Sequence, residues 1–548
     1  MKLRRTAPSI CLVLLAGACS YAQTVTGSMV GTVVDPAGSV VPGAPVQLTN
    51  QGTAATISAV TDNSGLFRFP NLSAATYTVT VQAKGFKTRV EKDILLGLSE
   101  TRDLGRLTLD IGAVTDTISV TAEVTPVQTS SAERSATIEG TQLNTVAIKG
   151  RDMMSYMRLL PGVVDTSTGR DATGGSVLGG LTFNGSTGIT GLTVDGVTDI
   201  DTGCSSCFAH FEPNIDSIGE IKVLTSNYQA EFGRNAGGAI TVITKSGTQQ
   251  FHGSGWWTHR HEQFNANDFF NNQTGLPRSR YRYNIAGWSL GGPIFIPNHF
   301  NVGKTKLFFF ASQEYTNQLA VSGNQYRSMP TQIERNGDFS KSVNGSGALI
   351  VINDPLNGNA PFAGNIIPQN RINGWGQAML NFFPLPNTFF PQGTPQYLQD
   401  NFQAAGSAPH PRRNDIVRLD ANITSKLNGY LRWGHDYDDT KAIFQNGVGF
   451  LKSQYGGDLT EDHPNPGHGE VGSVNYIFNP TLINQFTYGK TRNNWAWFEV
   501  DPKAVDRSLF DGTQGTPQAG QPLPYSSSPP SSASWRPAWC SQTSIWRA

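Results

Sequence analysis

Tyr228-Gln229-Ala230-Glu231-Phe232-Gly233-Arg234-Asn235-Ala236-Gly237-Gly238 runs into Ala239-Ile240-Thr241-Val242-Ile243-Thr244-Lys245-Ser246-Gly247-Thr248, and the fold is decided there. A Gly-rich turn leads into a β-branched run that leaves through Thr-Lys-Ser-Gly-Thr. Just upstream, Ile218-Gly219-Glu220-Ile221-Lys222-Val223-Leu224 reads as another strand. Further back, Leu192-Thr193-Val194-Asp195-Gly196-Val197 sets Asp-Gly between β-branched residues, the signal of a tight hairpin. Before that, Met153 to Leu160 has apolar residues at spacings of three and four, which predicts a short helix stopped before Pro161-Gly162-Val163.

The surroundings are β-rich and poor in charge. The 548 residues carry 41 basic and 41 acidic side chains, so the net charge is zero, which excludes a strongly basic nucleic-acid binder. Charged residues are 15% of the chain against about 25% in ordinary soluble domains. Aromatics at 10%, with 59 glycines and 31 prolines, argue for many short strands and turns rather than disorder. Five cysteines are too few for a disulfide scaffold.

Lys2, Arg4 and Arg5 precede an apolar run from Ile10 to Cys19, and Ser20-Tyr21-Ala22 follows. This predicts a secretory signal peptide cut after Ala22. The small residues before Cys19 also permit lipoprotein processing there, although a leucine three residues before the cysteine is lacking. No later stretch is long and apolar enough for a transmembrane helix, so residence within a membrane would require a closed β-barrel.

Val25 to Leu109 alternates with period two between turns at Asp35-Pro36-Ala37-Gly38 and Thr61-Asp62-Asn63-Ser64-Gly65, which predicts an antiparallel sandwich. The stretch from Thr115 through Asp116, Thr117, Ile118, Ser119, Val120, Thr121 and Ala122 is extended in character, with neither face oily enough to demand burial. The residues alone leave two readings of it. One is a last strand of the sandwich followed by a linker; the other is a segment that adds to the sheet edge of a partner.

Beyond Phe251 the composition shifts, with Trp256, Trp257, Phe264, Phe269 and Phe270 set among polar residues. Arg282 to Ile296 and Lys306 to Gln318 read as a hairpin pair. Asp415 to Ile423, Gly429 to Tyr437, Val471 to Phe478 and Ile483 to Arg492 are further alternating strands. Strands of about ten residues, apolar outward and polar inward, fit a transmembrane barrel. Val321 to Pro411, rich in Asn, Gly and Pro, suits an extracellular loop. A soluble jelly roll stays open on these residues, whereas the lack of a repeat disfavours a propeller.

Three sets of motifs resemble known families. Gly31 to Ala44, Asp62 to Phe69 and Tyr77 to Phe86 resemble the carboxypeptidase-regulatory-like domain, which implies a non-catalytic, transthyretin-like β-sandwich. The Leu160-Pro161-Gly162-Val163 stop, the Val194-Asp195-Gly196-Val197 turn, the Ile218–Val223 strand, the Glu231–Gly238 turn and the Thr244–Thr248 exit resemble, in order, the plug of a TonB-dependent receptor of the Oar-like type. Asp116 to Ala122 looks like the TonB box of such receptors.

The resemblance implies a mainly β protein: a sandwich, an α+β plug and the first strands of an outer-membrane antiparallel barrel. The expected organisation is a signal peptide over 1–22, the sandwich over 23–110, a linker over 111–125, the plug over 126–247, part of a barrel over 248–500 and an atypical tail over 501–548. About seven barrel strands precede Phe498, fewer than such a receptor needs, and the Ser- and Pro-rich stretch from Leu523 has no strand alternation. The expectation is a receptor cut short in its barrel, since open strand edges are untenable in lipid.

The function so implied is energy-coupled uptake of an extracellular ligand, which an oligosaccharide, a peptide or a metal chelate would satisfy. The implied partners are a TonB-like periplasmic coupling protein and outer-membrane lipid; no cofactor and no nucleic acid are implied. The alternative is a surface adhesion or scaffold protein that uses the sandwich and long loops without transport.

Chemistry-bearing motifs are few. Gly174-Gly175 and Gly179-Gly180 lack the Lys-Ser/Thr of a phosphate loop. His259-x-x-Glu262 has the spacing of zinc carboxypeptidases, but residues three apart on a strand point to opposite faces. No catalytic or metal site is therefore expected. Cys204-Ser205-Ser206-Cys207 lacks a second ligand pair for zinc, and in an exported chain a local disulfide between Cys204 and Cys207 is expected.

Overall fold

The computed structural model describes residues 26–121, 132–167, 179–201, 209–443 and 461–499, except 147, 230–231, 234, 268, 274, 276, 279, 345, 374–376, 378–379, 381–382, 391–400, 480–481, 495 and 497.

Three β units follow one another. In the first, β1 (Gly27–Val34), β4 (Leu66–Leu72) and β7 (Thr101–Thr108) form one sheet. Facing it are β2 (Pro45–Asn50), β3 (Thr56–Val60), β5 (Ala75–Val81), β6 (Thr88–Leu96) and β8 (Thr117–Thr121), in the order β3-β2-β5-β6-β8. Alternation does the folding: Phe67 and Phe69 of β4 point inward onto Met29, Val46, Leu48 and Val79. Asp62 closes the second turn, its Oδ1 accepting the N–H groups of Ser64 (2.8 Å) and Leu66 (3.0 Å). Gly65 has φ +72° there, and a Cβ would lie 2.7 Å from the Val33 carbonyl oxygen, so no other residue fits. The sandwich extends past residue 110, because β8, from the stretch expected as a linker, pairs parallel with β6 from Thr88↔Thr117 to Lys92↔Thr121.

In the second unit, β9 (Arg134–Glu139), β12 (Gly191–Val194), β13 (Val197–Thr198), β14 (Ile218–Ser226) and β15 (Ala239–Thr244) form a sheet of order β13-β12-β15-β14-β9. A small ribbon of β10 (Val163–Asp165) and β11 (Leu181–Phe183) lies beside it. Helix α1 (Gly140–Thr145) is followed by the apolar segment Met153–Leu159, a 3₁₀ helix rather than an α-helix, which buries Met153, Met154, Tyr156 and Met157. Asp152 caps it, accepting from the Met154 N–H at 3.1 Å. The Asp-Gly turn forms as the sequence predicts: Asp195 (φ +51°) and Gly196 (φ +81°) join β12 to β13.

The third unit is an antiparallel meander, called the wall below. It comprises β16 (His252–His261), β17 (Tyr281–Pro293), β18 (Leu307–Arg327), β21 (Phe402–Asn422), β22 (Leu427–Ile443), β24 (Gly467–Asn479) and β25 (Leu482–Asn493). The short β19 (Asn353–Asp354) and β20 (Ala360–Pro361) form a ribbon in the insert between β18 and β21. β23 (Glu461–Pro464) and β26 (Phe498–Glu499) pair at the far end of β22. Apolar side chains point outward and polar ones inward: Val417, Leu419, Leu431 and Trp433 are exposed, while Arg418 and Arg432 are buried. β18 and β21 run well past the expected ends, pairing from Leu307↔Ala421 to Arg327↔Phe402. The insert expected to begin at Val321 therefore begins after Arg327, because cross-strand bonding continues where the sequence alternation fades.

Candidate functional site

Two places in this architecture are taken in turn: the open edge of the sandwich, and the contact between the second unit and the wall, where polar side chains meet across units.

At the sandwich edge, Thr117 to Thr121 are bonded to β6 on one side, and β8 ends the sheet order among the described residues. The Thr88 N–H donates to the Asp116 carbonyl (2.8 Å), and the Thr88 hydroxyl donates to the Val114 carbonyl (2.7 Å). Asp116, Thr117 and Ser119 are exposed and Ile118 is half-buried. The strand therefore keeps a polar, accessible surface while its backbone is ordered. Ala122 lies outside the described residues, as do the signal peptide, Cys204 and Cys207.

At the wall, one carboxylate of the second unit, called the plug below, gathers two arginines. Asp195, 1% exposed, accepts from the N–H of Thr244 (3.0 Å) within its own sheet. Its Oδ1 also takes Nη1 of Arg418 (3.2 Å), and its Oδ2 takes Nε of Arg432 (3.0 Å). Tyr430 lies under Arg418 at 4.3 Å and donates its hydroxyl to the Asp195 carbonyl (2.8 Å). Two further groups repeat the pattern. Arg151 pairs with Asp216 and with Glu314 (3.4 Å) of the wall, and the indole N–H of Trp256 donates to Glu314 (2.9 Å). Asn414 of the wall accepts from Asn214 (2.9 Å) and donates to the Glu212 carbonyl (2.7 Å).

Burial shapes the charges on this face. It raises the carboxyl of Asp199 well above the ordinary range against the opposing pull of Arg432, and it lowers the imidazole of His210. A cavity of about 1230 Å³ opens beside the short wall turns, between sandwich and plug; Asn50, Asp93, Glu220, Lys222, Tyr430 and Asn475 are among its lining residues.

Sequence reasoning read Asp195 only as a turn residue and did not single out Arg418 or Arg432. Their signal is faint: both are inward positions of alternating strands, and so are many neutral polar residues. The His259 and Glu262 pair does not converge. His259 Nδ1 meets Asn284 Oδ1 (2.7 Å), whereas Glu262 starts a 3₁₀ turn beyond the strand and pairs with Arg282 (3.5 Å). Among the described residues no group of three His, Cys, Asp or Glu side chains is placed to hold a metal.

Residues 243–542 match the family described as outer membrane beta barrel domain, and residues 28–110 match the carboxypeptidase regulatory-like domain. The chain is similar to the TonB-dependent transporter Oar of Myxococcus xanthus, with 27% identity over 330 residues, covering 56% of this chain and 28% of that protein. It thus spans little more than a quarter of that curated relative. Among solved structures it is similar to the outer membrane transporter YddB from Escherichia coli (TM-score 0.40, 10% identity, 66% of this chain and 39% of that one). It is also similar to the siderophore receptor PirA from Acinetobacter baumannii (TM-score 0.32, 13% identity, 66% and 45%).

Proposed function

The chain belongs to the outer membrane beta barrel domain family, and from that premise we propose that it serves energy-coupled uptake across the outer membrane, its plug displaced by a pull on the segment Asp116–Ala122. The protein is an outer-membrane protein whose sandwich and plug precede its wall strands in the chain. The observation that carries the reading is the position of β8. Among the described residues it is an edge strand with exposed polar side chains, and the next strand, β9, is the edge strand of the plug sheet, bonded to β14. A periplasmic partner that adds a strand along β8 is then connected by covalent chain to the edge of the plug. Antiparallel and parallel additions both work through main-chain bonds, so a segment without a marked side-chain pattern suffices.

The test is calorimetric binding of a peptide covering Asp116 to Ala122 to the C-terminal domain of a TonB-like protein. A proline at Ser119 or Val120 should weaken binding most, since it removes a ladder N–H and fixes φ. One lost ladder bond should cost about 0.5–1.5 kcal/mol, with steric disruption added. Ile118→Val should change little. Equal affinity of wild-type and proline peptides, or no binding by either, would remove the energy-coupling half of the proposal.

A further inference from the structure

β14 of the plug turns two alternate side chains toward the sandwich. Glu220 Oε1 accepts the N–H of Leu98 (2.9 Å), and Lys222 Nζ donates to the carbonyls of Leu98 (3.0 Å) and Ser99 (3.4 Å). Both backbone groups of Leu98, itself 1% exposed, are thus held by residues two apart on one strand face. The loop they grip is a tight one: Ser99 has φ +46°, and the Gly97 N–H donates to Glu100 (2.7 Å). It follows directly on β6, the strand to which β8 is bonded.

Lys222 has another tie. Its Nζ lies 2.7 Å from Glu133 Oε1, with both side chains almost wholly buried. Glu133 stands immediately before β9, the plug's edge strand, whose register with β14 sets Thr137 opposite Lys222. One ammonium therefore holds the sandwich loop and the head of the plug's leading strand at a single point. A buried lysine that loses its ion-pair partner is strongly unfavourable, and Glu220 beside it, which burial favours in the neutral form, replaces little of the lost charge. When Glu133 leaves, Lys222 is driven toward water, and the Leu98 and Ser99 carbonyls lose their donor.

From this shared cation we infer that Lys222 is a clasp: it keeps the sandwich docked on the plug, beside the cavity at the short-turn end of the wall, until chain tension draws Glu133 away. The inference gives the transporter reading a release order, Glu133 first and the sandwich second. It rests on that reading only for the source of the tension.

Hydrogen exchange of the full chain in detergent micelles tests it without any partner. In Glu133→Gln, exchange should rise about tenfold or more over residues 132–139 and also over 97–100, while Val46–Asn50 in the sandwich core stays as in wild type. Lys222→Met should loosen both segments together. Glu220→Ala, which removes the acceptor of the Leu98 N–H and keeps the Lys222–Glu133 pair, should loosen 97–100 and leave the head of β9, residues 132–136, protected. Should Lys222→Met raise exchange in the core as well, the two glutamate variants decide alone. Faster exchange at 132–139 in Glu133→Gln with residues 97–100 unchanged overturns the clasp. That outcome leaves the peptide-binding result untouched, and failure of peptide binding leaves this one untouched.

Discussion

Asp195→Asn should loosen the plug from the wall more than any other single-atom-scale change in this interface. The substitution keeps size, one acceptor oxygen and tolerance of the φ +51° backbone, so it isolates the charge. What it leaves behind is unequal. Arg418 retains Asp420 (2.8 Å), the Thr244 carbonyl (3.0 Å) and the face of Tyr430. Arg432, with no side-chain exposure, retains the carbonyls of Gly469 (3.0 Å) and, at longer range, Val194 (3.4 Å), the Phe211 ring and the more distant Asp199, whose carboxyl burial favours in the neutral form.

Breaking a buried pair by removing one partner costs about 3–5 kcal/mol. The compensation left to Arg418 sets the expectation at the lower end, about 3 kcal/mol. Asp195→Ala should cost more, because a left-handed φ on a non-glycine residue adds about 1 kcal/mol or more once the side-chain bonds are gone. The assay is urea titration of the full chain in detergent, read by hydrogen exchange of residues 191–198. With a urea slope of about 1–3 kcal/mol per molar, 3 kcal/mol lowers the midpoint by about 1–3 M. Removing both partners in Asp195→Asn/Arg432→Met should recover part of the loss, since no uncompensated guanidinium remains at that position. A stability for Asp195→Asn within about 0.5 kcal/mol of wild type, or a double variant as weak as the sum of the singles, would refute the reasoning.

Three further outcomes follow. Burial pushes the Glu220 carboxyl up to about 7 from an ordinary 4.5, with Glu100 and Glu139 adding to the rise and the Leu98 N–H and Lys222 opposing it. The docked state thus binds the extra proton between those limits, so docking of the sandwich should strengthen as pH falls from 8 to 5. Proteolysis of the 97–100 loop at both pH values checks this, and Glu220→Gln should flatten the response. Gly238→Ala should lower thermal stability by about 1–3 kcal/mol, because its Cβ would lie 2.6 Å from the Phe183 ring, whereas Gly255→Ala, with its nearest neighbour at 3.9 Å, should be far milder; a melting comparison decides. Cys204 and Cys207 should be oxidised in exported material, and mass spectrometry that finds both alkylated without reductant counts against it.

The elements legible in the sequence are those whose local chemistry is self-sufficient. Val194-Asp195-Gly196-Val197 announces its hairpin because a two-residue turn needs φ above zero at both centres. Leu66-Phe67-Arg68-Phe69 announces its buried face through period two alone. The partners of Asp195 were not legible, for they lie 223 and 237 residues further on. Alternation says that Arg418 and Arg432 face inward between Val417, Leu419, Leu431 and Trp433, but nothing local says which inward residue meets the plug. The ends of β18 were misjudged for a related reason. Leu319 to Arg327 has no alternating pattern and is ordered by its bonding to Phe402–Pro409 across a long insert. For Thr117–Thr121, polarity on both faces leaves a last sandwich strand and a partner-adding segment both open, and only the pairing with β6 shows a strand of the sandwich.

The placing of apolar contacts sets the cost of moving the plug. Its core, from Ile138 and Met153 through Leu192 and Ile221 to Val242, closes on itself within the plug. Taking it apart would expose many side chains, each worth about 1.5–3 kcal/mol. Against the wall the plug's fully buried apolar peg is Phe211, packed on Phe310 and Ile416. Gly434 and Gly469 make room for it: a Cβ on Gly434 would lie 2.5 Å from the ring. Besides Val197, seated over Gly489 of β25, the remaining wall contacts described above are ion pairs and hydrogen bonds, which water can replace group by group at far smaller net cost than exposed hydrocarbon. Freeing the plug as a body thus costs the Phe211 peg and the Asp195 pairs, whereas unravelling it costs those and the core besides. A force on β9 that first draws out Glu133 meets the lower of these two barriers so long as β9 remains bonded to β14, and Ile138, packed in the core from β9 itself, is the side chain that ties the pulled strand to the body that has to move.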